Sequence, residues 1–87
     1  MTRRQRELTA EERALLSQVL SKHLPEEADR LLNEPHERWS SVLRARVRND
    51  AVGRELVDSG FDANDAPTPR GLLLEGLIDY LAPWHWD

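Results

Sequence analysis

The sequence predicts an all-α protein, a compact four- to five-helix bundle with short connections and a C-terminal helix over residues 69–81 at its centre. Three observations predict this class. Apolar residues recur at helical spacing in successive stretches, capping residues or prolines bound each stretch, and no alternating strand pattern or hairpin turn occurs. The 87 residues read as one domain, with residues 1–8 as a flexible basic lead and 9–87 as the helical body.

Taken in order, Thr9 with Glu12 three residues on is a capping-box pattern. The helix it opens carries Leu15, Leu16, Val19, Leu20, His23 and Leu24 on one stripe, and Pro25 ends it. Pro25 also starts a short second helix, with Glu26 and Glu27 in the first turn where the macrodipole favours them. Ala28, Leu31 and Leu32 are its predicted buried side. Pro35 is expected to start a third helix that turns Trp39, Val42, Leu43 and Val47 inward. Continuing that helix straight to Ser59 puts Arg46 and Asp50 on the apolar face and lets Val52 and Leu56 drift off it. A break near Asn49 relieves the conflict, giving two segments, about 35–48 and 50–59, with Asn49 capping the second. Gly60 suits a left-handed C-terminal cap, with Phe61 packing back on Leu56.

After a polar loop over residues 62–67, Thr68 is the N-cap and Pro69 the first residue of the last helix. Leu73, Leu74, Leu77, Ile78 and Leu81 share one face, and Leu72, Gly76 and Tyr80 widen it. That edge is a candidate homodimer contact, because Gly76 in mid-helix costs about 1 kcal/mol relative to alanine and a close neighbour would account for it. Only the strip holding Glu75 and Asp79 is clearly polar.

Composition narrows the function classes. Hydrophobic residues at 39% and charged residues at 32% fit a globular chain. The chain has no cysteine, no apolar signal core after its charged N-terminus and no apolar run long enough to span a bilayer, so a cytoplasmic bacterial protein is expected. Eleven arginines stand against one lysine, Lys22, which reads as codon bias or as a set of recognition forks. Charge is uneven, with a balance of +2 over residues 36–56 and −5 over residues 57–87.

Catalytic and metal patterns fail on spacing. Counting from Asp58 or Asp62, the twelfth position of a calcium loop falls on Pro69 or Leu73 instead of a glutamate. His23, His36 and His85 include no i,i+4 pair, and Ser40 and Ser41 have no obvious base. No catalytic residue, metal or cofactor is expected. Arg44 and Arg48 share a helix face and offer a nucleic-acid alternative, which a sequence pI near 5.3 disfavours. The lead Asp65–Gly71, D-A-P-T-P-R-G, resembles that of bacteriocin immunity proteins, which are small acidic helical bundles. Their Tyr-Tyr-Pro recognition motif is absent, so no residue roles carry over.

The expectation is therefore a small non-enzymatic protein-interaction module: a regulator, an antitoxin or an immunity-type inhibitor. Its partner would be another protein of basic character. Its surface would comprise Asp62, Asp65, Glu75 and Asp79, with the terminal Trp84 and Trp86 as anchors.

Overall fold

Residues 7–83 are described by the computed structural model of the chain. They form helices α1 (Ala10–His23), α2 (Pro25–Asn33), α3 (Ser41–Arg46), α4 (Arg54–Ser59) and α5 (Pro69–Tyr80). A 3-10 turn (His36–Arg38) precedes α3, and a π-helical segment (Val47–Gly53) joins α3 to α4. No strand occurs among the described residues, apart from an isolated bridge between Phe61 and Pro67. No helix among them is long and apolar enough to cross a membrane.

The capping box at Thr9 forms as its spacing requires. The Glu12 N–H donates to Thr9 Oγ1 at 3.1 Å, and the Thr9 N–H donates to Glu12 Oε1 at 3.0 Å. Leu24 closes α1 and opens α2 in one residue, and Pro25 follows at the first position of α2. Leu15, Leu16, Val19 and Leu20 of α1 are buried with Ala28 and Leu31 of α2. Leu8, placed in the lead by the sequence, also joins this core. Leu32 is 41% exposed, against the inward position expected of it.

The third helix begins later than its proline suggests. Trp39 and Ser40 are extended, and the Ser40 hydroxyl accepts the Leu43 N–H at 3.1 Å, so capping at Ser40 sets the start. Trp39 remains fully buried, but Val42, expected inside, is 77% exposed.

The expected break at Asn49 is absent. Backbone angles at Arg46, Val47, Gly53 and Arg54 are all right-handed helical, and the chain runs on through the π segment. This wider turn resolves the phase conflict that a straight α-helix would create. From Val47 the next inward positions lie four and five residues on, instead of three and four. Val47 is followed by Ala51, Val52 and Glu55 inside, while Asp50, Arg54 and Asp58 reach solvent.

Gly60 ends α4, but its φ of −89° is right-handed, and the one left-handed residue in the described chain is Asp65 at φ 60°. Gly60 is required for contact instead. A Cβ there would collide with Leu56, and a Cβ on Gly71 would land on the Gly60 carbonyl. Backbone meets backbone at this point, and Thr68 secures it. Its N–H donates to the Gly60 carbonyl at 2.9 Å, its hydroxyl donates to the same oxygen at 3.2 Å, and that hydroxyl accepts the Gly71 N–H at 3.0 Å. Phe61, expected to fold back on Leu56, is 42% exposed and pairs with Pro67.

From this junction α5 runs against α1, the π segment and α4. Leu74, Leu77 and Leu81 are fully buried, with Leu73 and Ile78 packed beside them. Tyr80 is also buried, so the Leu72–Gly76–Tyr80 edge is free only toward Leu72, which is 58% exposed.

Candidate functional site

Three groupings of polar side chains have a geometry that bears on function. The first is centred on Glu55, the most buried carboxylate described. The wider π turn carries it inward, to the place where α1, α4 and α5 meet. Lys22 Nζ and His23 Nε2 lie 2.9 and 2.8 Å from Oε1. Ser59 Oγ and Arg70 Nη2 lie 2.5 and 3.2 Å from Oε2, and Arg70 Nε also donates to Ser59 Oγ at 3.2 Å. The Ser59 hydrogen bond holds this carboxyl far below the usual range, and the bonds from His23, Lys22 and Arg70 add to it against the cost of burial.

His23, Glu55 and Asp58 lie near enough together to ligate a cation. However, both oxygens of Glu55 already take two donors each, and two of the four donors are fixed cations. A metal ion would have to displace them. A Ser–His–acid relay also needs a different order, because Ser59 bonds the carboxylate and not the imidazole. The grouping is a staple joining three helices.

Little in the sequence foretells it, since Lys22 and His23 are distant from Glu55 and the π turn hides its phase. One signal was present. Arg70 sits in the first turn of α5, where the macrodipole disfavours a cation, so it needs an acidic partner outside its own helix.

Arginines of the α3–π rod are similarly committed. The Arg44 guanidinium donates to the Trp39 carbonyl and, at 3.4 Å, to that of His36. Arg48 reaches the Leu81 carbonyl at 3.3 Å, satisfying the end of α5, and Arg46 pairs with Glu27 at 2.6 Å.

The second grouping is the predicted acidic set. Asp62 and Asp65 lie in the loop before α5, whereas Glu75 and Asp79 lie in its middle and last turn, on a helix about 18 Å long. Asp62 Oδ1 accepts the N–H groups of Asn64 and Ala66 at 2.8 and 3.1 Å, so this residue shapes its loop. Glu75 and Asp79 are exposed and make no side-chain bond or ion pair among the described residues. With Leu72 they form one apolar–acidic strip along the outside of α5. Trp84 and Trp86, the proposed anchors, lie outside the described residues.

The third grouping lines a cleft of about 490 Å³ between the start of α1, the end of α2, the 3-10 turn and α5. His36 Nδ1 and the Tyr80 hydroxyl meet at 2.8 Å, and the His36 ring lies 4.6 Å from that of Trp39. Burial pushes the His36 imidazole down from its ordinary value, so it is neutral at pH 7; Glu37 opposes this shift and Arg13 reinforces it. Trp39 Nε1 is buried without an acceptor among the described residues. Sequence reading missed this cleft because its parts come from four separate elements. Comparison of the chain with protein-family models, curated proteins and solved structures finds no match.

Proposed function

We propose that the protein is a non-enzymatic protein-interaction module, of the regulator, antitoxin or immunity-type class, that meets a basic partner through the outer strip of α5. One observation carries this reading. Leu72, 58% exposed, shares that strip with two exposed carboxylates that have no partner among the described residues. Elsewhere the acidic groups near the core are bonded, as at Glu12, Glu27 and Glu55. An apolar side chain flanked by unpaired charge suits a contact whose rim charges steer association and whose centre excludes water. Asp62 and Asp65 extend the acidic surface at the loop, and Trp84 and Trp86 supply aromatic anchors beyond Pro83.

The placement of the arginines favours a protein partner over nucleic acid. Arg44 and Arg48, the pair that would read phosphate, are half-buried and turned to backbone carbonyls. The test is affinity capture from the source cells with wild type and a Glu75→Lys/Asp79→Lys variant, followed by titration of the captured partner in purified form. The reading expects at least a roughly tenfold loss of affinity in the variant, equal to about 1.4 kcal/mol. Equal affinity would remove the strip from the interface.

A further inference from the structure

The cleft beside His36 has a wall and a charge that the proposed α5 interface does not use. Among the described residues, Glu7, Glu34 and Glu37 line it with one cation, Arg13. Its apolar wall includes Leu16, Leu32 and Pro35, and Leu32 is 41% exposed there. Glu34 and Glu37 are exposed and make no ion pair among the described residues. The neutral His36 adds no positive charge, and its Nδ1 is engaged by Tyr80, which fixes the ring against the cleft.

We propose that this cleft receives an arginine side chain of a partner protein, with its stem on Leu32 and Pro35 and its guanidinium held by Glu34 and Glu37. Charge complementarity selects a cation. The combination of an apolar wall, an imidazole ring and two carboxylates suits a planar, weakly hydrated guanidinium better than an ammonium. A cleft of about 490 Å³ is of the size that receives a side chain with its flanking backbone. This site is independent of the α5 strip, and substitutions at Glu75 and Asp79 leave it unchanged.

The test titrates the full ¹⁵N-labelled chain with N-acetyl-arginine methylamide and, separately, with the neutral isostere N-acetyl-citrulline methylamide, following backbone amides by NMR. Saturable shifts at Leu32, Glu34, His36 and Glu37 are expected for the arginine probe, with binding of the citrulline probe roughly tenfold weaker or less. Glu34→Gln/Glu37→Gln, at two exposed positions, lowers arginine affinity by about tenfold and leaves the rest of the spectrum in place. A variant with Arg3→Gln, Arg4→Gln and Arg6→Gln binds the probe as wild type does. No saturable shift, equal binding of the two probes, or full affinity in the Glu34→Gln/Glu37→Gln variant would each overturn the proposal. So would a large gain in affinity in the Arg3/Arg4/Arg6 variant, because the chain's own basic lead would then be the occupant.

Discussion

Glu55 and Glu75 are the same side chain on neighbouring helices, and their surroundings give them opposite work. Glu55 is almost fully buried and each of its oxygens accepts two donors, drawn from α1, α4 and α5. Glu75 is exposed and bonds to nothing among the described residues. Burying a charge is costly unless its lone pairs are met, and at Glu55 both oxygens are, so the site has no capacity left for a ligand. An exposed carboxylate costs the fold nothing and remains available to another molecule. In this chain the saturated charges hold the helices together, and the proposed partner surface is drawn from the unsaturated ones.

The largest effect that could break this contrast is expected at Glu55. Glu55→Ala takes the shared carboxylate from Lys22, His23 and Arg70, while Ser59 keeps the backbone carbonyl of residue 55, and should destabilise the protein by about 3 kcal/mol, read as a lower denaturant midpoint. Lys22 and Arg70 are 57% and 40% exposed in their side chains and regain water, which keeps the loss at the lower end for a broken buried pair. A loss below about 0.5 kcal/mol would show the staple to be ornamental.

Next comes the backbone contact that brings α5 into place. Gly71→Ala puts a methyl group on the Gly60 carbonyl and should cost about 1–3 kcal/mol, measured by the same denaturation. An unchanged midpoint would mean that the α4–α5 junction is looser than its geometry.

Acid should separate the two classes of carboxylate. Glu55 has a folded-state value well below its ordinary 4.5, so its contribution is complete above that value and is lost as pH falls below it. His36 is lowered from 6.5, so the folded state resists its protonation and stability begins to fall already as pH drops below 6.5. Thermal melts against pH should therefore decline in two stages. The first should vanish in His36→Gln and the second should shrink in Glu55→Gln. A wild-type stability that is flat from pH 7 to 3 would contradict both assignments.

Substitutions on the outer strip of α5 are expected to change stability least. Glu75→Gln and Asp79→Asn should change stability by no more than about 0.5 kcal/mol, since neither residue has a partner to lose among the described residues.

The helical class and most boundaries were legible because they rest on local chemistry. Thr9 with Glu12, Pro25, and Thr68 with Pro69 each set a helix start through groups within one turn of it. Where the sequence reading failed, a competing local cap, a phase effect or a non-local contact prevailed. Ser40 competed with Pro35 for the start of α3, and the π segment replaced the expected break at Asn49. Gly60 answered to the crowding of Leu56 and not to a left-handed cap, and Gly71 to the Gly60 carbonyl across the junction. Glu55 was invisible for the same reason, since its donors sit far away in the chain and its inward direction depends on the π turn. Glu75 and Asp79 were legible because they are the acidic residues of an otherwise largely apolar helix, and their exposure needs no tertiary information.

The most direct measurement of the central claim is the affinity of a purified captured partner for wild type, Glu75→Lys/Asp79→Lys and a control substitution at the exposed Asp29. The account predicts at least a roughly tenfold loss confined to the α5 variant, with its denaturation midpoint unchanged. Equal affinity for all three, with the fold intact, would contradict it.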